Sequence, residues 1–210
     1  MPSMAPARTP SSTAGAPALG LRERKKIRTR LAIRRAAYRL FAEQGYDATP
    51  VDRIAEAAEV SPSTVFRYFP TKEDIVLTDE YDPVVQEALR SRPAGEPPVR
   101  AVREALCEVL DRTYDADLAE TCQRLALIRD VPAVRARLAE HTEVTGRLLR
   151  QVLSERTGRP VDDLELRVVT AAMLGALTEA MLHWADGGMR GDLGERAAHA
   201  LDVLERGLTL

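Results

Sequence analysis

The chain has 210 residues, 45% hydrophobic and 30% charged, the make-up of a soluble globular protein of one or two domains. Ala, Leu, Arg and Glu dominate and aromatics are only 4%, which favours helix throughout; no apolar run reads as long enough to span a membrane, and no signal-peptide core opens the chain, so a cytoplasmic protein is expected. The net charge of -2 hides an asymmetry: residues 21–72 hold 12 Arg or Lys against 6 acids, and the stretch from Glu73 onward carries -9, a basic module on an acidic body that suits a polyanion partner for the module alone.

Met1 to Gly20 is rich in Pro, Ala, Ser and Gly and is expected to be a disordered tail. Leu21 to Gln44 reads as a helix whose first half, RERKKIRTR, is cationic and whose second half sets Ile33, Ala36, Ala37, Leu40 and Phe41 on one apolar stripe. Gly45 supplies the stop. Thr49 is expected to cap the next helix with Pro50 at its first position and Asp52 at its third, and Ile54, Ala55 and Ala58 form its apolar face.

Ser61 caps a third helix, with Pro62 at its first position. Val65 and Phe69 lie four residues apart and should pack inward, leaving Ser63, Thr64, Arg67 and Tyr68 toward solvent and Phe66 on a flank. Two short helices across a tight turn, the second propped outward with hydroxyls, an Arg and a Tyr on its face, is the layout of a helix-turn-helix that enters the DNA major groove. Thr71 starts a fourth helix, with Asp74 at its third position.

The stretch AIRRAAYRLFAEQGYDATPVDRIAEAAEVSPSTVFRYFPTKEDIV resembles the DNA-binding domain of the TetR family of transcriptional regulators. The order of parts carries the likeness: Leu-Phe-Ala-x-x-Gly-Tyr, a Thr, Ile-Ala, Val-Ser-x-x-Thr and Tyr-Phe-x-x-Lys. Two residues depart from the family pattern. Glu59 stands where a Gly is usual in the corner, which implies a non-Gly residue at positive φ, and Phe66 stands where a Tyr is frequent. The resemblance implies a dimer that binds a near-palindromic double-stranded operator. Lys25, Lys26, Arg28, Thr49, Tyr68 and Lys72 are then expected on phosphates, with Ser61, Ser63, Thr64, Phe66 and Arg67 on the DNA-facing helix. Arg67 suits a guanine or a phosphate.

Farther on, Asp82-Pro83 is expected to interrupt or kink the fourth helix, which otherwise runs to about Arg90. Ser91 to Pro98 reads as a loop. A helix from Val99 places Leu106, Leu110, Tyr114, Leu118, Leu125 and Ile128 inside. Pro132 opens a long helix through about Glu155, closed by Gly158 and Pro160. Asp162 is expected to cap a further helix whose one face holds Leu166, Val169, Thr170, Met173, Leu177, Met181 and Trp184, and Asp192 caps the last. The penultimate helix also carries Ala171, Ala172, Gly175, Ala176 and Ala180, small residues that suit either a dimer interface or tight packing within one chain.

FRYFPTKEDIVLTDEYDP, LALIRDVPAVRARL and MLGALTEAMLHWADGG are similar to an actinobacterial TetR subgroup related to the mycofactocin regulator, with an acyl-CoA-like ligand-binding C-terminal domain. That likeness implies an effector with a fatty chain and an anionic head. Leu106, Leu110, Tyr114, Leu125, Arg129, Met173, Leu177 and Trp184 are the candidate lining, and Arg124, Arg129, Arg135 and Arg137 the candidate partners of the head. Cys107 and Cys122 lack metal-ligand spacing and read as small core residues. His141, His183 and His199 form no metal or catalytic pattern, and no phosphate-binding or nucleophile motif occurs. No cofactor, metal or enzymatic activity is expected.

The reading is therefore all-α, about nine helices: a tail over 1–20, a three-helix DNA-binding domain over 21–72 and a helical ligand-binding and dimerisation domain over 73–210. Its function is that of a repressor released by a small apolar effector. The alternatives are a constitutive or architectural DNA-binding protein, or a small helical enzyme or adaptor that keeps the helix-turn-helix as scaffold.

Overall fold

In the computed structural model, residues 21–78 and 82–209 are described, with side chains throughout except at 21–24, 82–83 and 111–117. Among these residues there are nine helices and no strand: α1 Leu21–Gln44, α2 Val51–Ala57, α3 Pro62–Tyr68, α4 Lys72–Leu77, α5 Asp82–Ser91, α6 Pro98–Asp130, α7 Pro132–Thr157, α8 Leu164–Asp186 and α9 Leu193–Glu205. The N-terminal tail lies outside the described residues.

Punctuation in the sequence sets most of these boundaries. Gly45, at φ 89, ends α1 by donating its N–H to the Phe41 carbonyl. Gly158 closes α7 in the left-handed conformation that a side chain would strain. Ser61, Thr71 and Asp192 cap their helices as expected, Thr71 in a reciprocal box with Asp74.

Four expectations are corrected. Thr49 caps nothing: Pro50 is the residue flanking α2, and the Thr49 hydroxyl instead donates to the Gly45 carbonyl at 2.7 Å. Asp163 caps α8 in place of Asp162, because its carboxylate meets the N–H groups of Glu165 and Leu166. The fourth helix is interrupted, but before Asp82 and not at Pro83: α4 ends at Leu77 and α5 begins at Asp82. Leu118, expected inside, is exposed.

The apolar residues gather in two clusters. One joins Ile33, Ala37, Tyr38 and Phe41 of α1, Ile54 and Ala55 of α2, Val65, Phe69 and the whole end of α4 to Leu125 and Ile128 of α6, Val134 of α7 and Trp184 of α8. The other joins Leu89 of α5, Ala101, Val102 and Ala105 of α6, Val152 and Leu153 of α7, Leu166 and Met173 of α8 and Leu201 of α9. The long helices α6, α7 and α8 thus run from one cluster to the other. The first cluster passes across residue 72 without a break.

α8 also revises the expectation about membrane spans: over 23 residues it is long and apolar enough to cross one by length and composition. It packs instead on α6, α7 and α9 through Leu166, Thr170, Met173, Ala180 and Trp184. Its opposite face leaves Leu164 73% and Val168 58% exposed, with Ala171, Ala172 and Gly175 beside them.

Candidate nucleic-acid interface

The turn between α2 and α3 is built by a helix end. The N–H of Val60 reaches the Ala55 carbonyl at 3.0 Å and that of Glu59 reaches Glu56 at 3.1 Å, the paired bonds that require a left-handed residue after the helix. Glu59 supplies it at φ 55, so the departure read in the sequence is real and the corner keeps its shape with a non-Gly residue.

From that corner α3 is held by Val65 and Phe69, both buried. Arg30 of α1 lies over the Phe69 ring, its guanidinium carbon 5.3 Å from the centroid. What α3 offers outward is short and polar at its start. The Ser61 hydroxyl accepts from the Thr64 N–H at 3.2 Å and lies 2.8 Å from the Ser63 hydroxyl and 2.9 Å from that of Thr64. Phe66 is 49% exposed. Arg67 is exposed and lies over the half-buried Tyr68 ring at 5.3 Å. Lys25, Lys26 and Arg28 are exposed on α1.

Two of the expected phosphate contacts are engaged inside the protein. Thr49 is fully buried, its hydroxyl on Gly45 and its N–H on the Tyr46 carbonyl at 3.2 Å; it holds the α1–α2 turn and cannot present a side chain to DNA. Lys72 donates to the carbonyls of Tyr46 and Thr49 at 2.9 and 3.2 Å and sits 4.1 Å from the centre of the Tyr46 ring. Two of the three ammonium donors therefore tie α4 to that turn.

Sequence reasoning missed the partner of this clamp. The Tyr46 hydroxyl donates to Glu73 at 2.8 Å. Burial and the Glu73 contact push the Tyr46 hydroxyl well above its usual range. Burial raises the Glu73 carboxyl, but bonds from its own backbone, Tyr46 and Thr71, with the charge of Lys72, outweigh that and hold it low. Gly-Tyr followed by Lys-Glu at the start of a capped helix was the available signal.

The candidate effector residues are not brought to one place. Leu125 and Trp184 belong to the cluster under the helix-turn-helix, and the Trp184 indole N–H is taken by the Gly191 carbonyl at 3.0 Å. Met173 and Leu177 belong to the other cluster. Leu106 and Leu110 are half-buried, and the Tyr114 side chain lies outside the described residues. Arg129 lines an open concavity of ≈ 370 Å³ with Asp130, Pro132, Arg135 and Ala136. Its guanidinium is already bonded to Asp130 at 2.7 and 2.8 Å and to the Ala185 carbonyl at 3.0 Å. Arg137 pairs with Asp74 of α4 at 3.3 Å. Among the described residues no group of three His, Cys, Asp or Glu is placed to hold a metal ion.

Comparison with known proteins agrees with this geometry. Residues 33–78 match the family described as bacterial regulatory proteins, tetR family, and residues 96–209 match the MftR C-terminal domain. The HTH-type transcriptional regulator TcmR of Streptomyces glaucescens is 40% identical over 163 residues, 74% of this chain and 72% of its own length. The fatty acid metabolism regulator protein of Bacillus subtilis is 26% identical over 180 residues, 82% and 92% of the two chains. The crystal structure of Thermus thermophilus FadR, a TetR-family repressor in complex with lauroyl-CoA, superposes with a TM-score of 0.54 at 26% identity, covering 86% of this chain and 95% of that one. A helix-turn-helix whose α3 stands propped and exposed, continuous with a helical body matched over 96–209, makes this chain a member of the TetR family of bacterial transcriptional regulators, with an MftR-type C-terminal domain.

Proposed function

We propose that the protein is a cytoplasmic homodimeric repressor that binds a near-palindromic operator and is released by a long-chain acyl-CoA. The carrying observation is the face of α3: Ser63, Thr64, Phe66 and Arg67 point away from the core while Val65 and Phe69 anchor the helix. Ser63, Thr64 and Phe66 read base edges. Lys25, Lys26 and Arg28 meet phosphates, with Lys72 adding its remaining donor. Residues 21–72 bind DNA, and residues 73–210 bind effector and the second subunit. The exposed face of α8, Leu164, Val168, Ala171, Ala172 and Gly175, supports the subunit contact, since a contiguous apolar patch is unusual on a monomer.

The acyl-CoA reading is supported by the likeness to a repressor that holds lauroyl-CoA and to a regulator of fatty acid metabolism. A hundredfold loss of operator affinity needs a coupling of about 2.7 kcal/mol, which a few additional buried methylenes supply at about 0.8 kcal/mol each. The test is affinity for a duplex selected from a random pool, measured against free CoA and acyl-CoAs of increasing length at fixed salt. Release that strengthens with chain length is expected. A flat response refutes the acyl effector and leaves DNA binding standing.

A further inference from the structure

α1 carries a buried arginine that does not belong to its cationic outer face. Arg34 is 5% exposed. Its Nε donates to the Ile75 carbonyl at 3.3 Å and its Nη2 to the Thr78 carbonyl at 2.5 Å, while Nη1 lies 3.6 Å from the Glu120 carboxylate of α6. One guanidinium therefore joins α1, the C-terminal end of α4 and the C-terminal half of α6. α4 has six residues, too few to persist alone, and its C-terminal carbonyls lack helical partners. A planar fork of donors at that end satisfies the Ile75 carbonyl and that of the capping residue Thr78, and complements the helix dipole. Two other bonds tie the module to the body: Gln123 of α6 donates to the Tyr38 carbonyl at 2.6 Å, and Arg137 of α7 pairs with Asp74. Of these links, Arg34 is the one that touches α1, α4 and α6 together.

We propose that Arg34 is a positioning residue for DNA binding, fixing the angle at which α1 and α4, and with them α3, are held against α6. The proposal rests on the DNA-binding reading above and concerns a side chain too buried to reach a phosphate itself. Glu120 orients the guanidinium from the C-terminal side, so a shift of α6 is passed to the end of α4 through this pair.

The test uses full-length Arg34→Gln, Arg34→Lys, Glu120→Gln and the Arg34→Gln/Glu120→Gln double variant, titrated on a duplex selected by the wild-type chain from a random pool. Wild-type binding in the same titration tests the DNA-binding reading, and the ratio of variant to wild type tests the proposal. Arg34→Gln and Arg34→Lys are expected to melt cooperatively and to bind about tenfold more weakly or worse, with the wild-type salt slope because no phosphate contact is lost. Glu120→Gln, at a side chain 30% exposed, should fold and lose less, and the double variant should bind no worse than Arg34→Gln. If Arg34→Gln does not fold, Arg34→Lys and Glu120→Gln decide. Binding within about twofold of wild type by both of these, or a shallower salt slope for Arg34→Lys, overturns the assignment.

Discussion

Replacing Glu59 by Gly should make the protein more stable. Glu59 is an exposed residue at φ 55 in the corner between α2 and α3, a conformation that costs an L-residue roughly 1–2 kcal/mol. Among the described residues its side chain makes no hydrogen bond or ion pair, and the two bonds that shape the corner are made by the backbone N–H groups of Glu59 and Val60, which Gly retains. Against the relief stands the larger freedom of Gly in the unfolded chain, about 0.4–1 kcal/mol. The net gain is about 0 to 1.6 kcal/mol, centred near 0.8, a rise in Tm of about 2–3 °C for a chain of this size. Glu59→Ala is the control: it removes the charge and keeps the strain, so it should leave stability near wild type. Urea titrations of the three proteins, with Tm from calorimetry, measure both differences. If Glu59→Gly is less stable than wild type, or Glu59→Ala gains as much as Glu59→Gly, the strain argument is wrong.

Tyr46→Phe removes the donor to Glu73 and should cost about 1 kcal/mol at pH 7. Because the Glu73 carboxyl is held below its ordinary 4.5 in the folded state, that contribution is whole above pH 4.5 and fades as pH falls through the depressed value; an equal penalty at pH 3 and pH 7 in denaturant titrations contradicts the linkage. Arg67→Ala should weaken operator binding by about 1–3 kcal/mol, unequally across operator variants if Arg67 reads a base, and equally if it meets only phosphate; competition titrations on a panel of duplexes decide. Val168→Glu places a carboxylate in the exposed apolar face of α8 and should shift the protein toward monomer in sedimentation velocity; an unchanged dimer puts the subunit contact elsewhere.

The sequence made the helices and their caps legible where a single residue decides locally. Gly45, Ser61, Thr71, Gly158 and Asp192 each satisfy orphan groups within a few residues, and each boundary was read from them. Thr49 failed for the complementary reason. Its hydroxyl had two acceptable fates, capping α2 or bonding back to Gly45, and burial chose the second. The outward face of α3 was equally readable, because Val65 and Phe69 fix which side of the helix is buried. Arg34 and the Tyr46–Glu73–Lys72 clamp were not. Their partners lie 23 to 86 residues away along the chain, and an Arg beside an apolar stripe looks the same in sequence whether it is solvated or buried. Helical face alone cannot tell Trp184 in one cluster from Met173 in the other.

That division has a mechanical consequence. α6 spans 33 residues, about 50 Å at 1.5 Å per residue, with Ala101 and Val102 in one cluster and Leu125 and Ile128 in the other. A rigid helix of that length turns a small tilt at one end into a displacement of several ångström at the other. At the far end, Leu125 and Ile128 share a cluster with Ile33, Phe41, Phe69 and the end of α4. If α6 moves there, either the cluster opens or the module follows. Opening would leave voids in a close-packed core, where the loss of one large side chain's packing already costs about 2–5 kcal/mol. Following requires only that α1 and α4 turn together, and Arg34 and Lys72 tie the two ends of α4 to α1 and to the turn beyond it. If α6 shifts at that end, the module is therefore expected to follow as a body and to carry α3 with it.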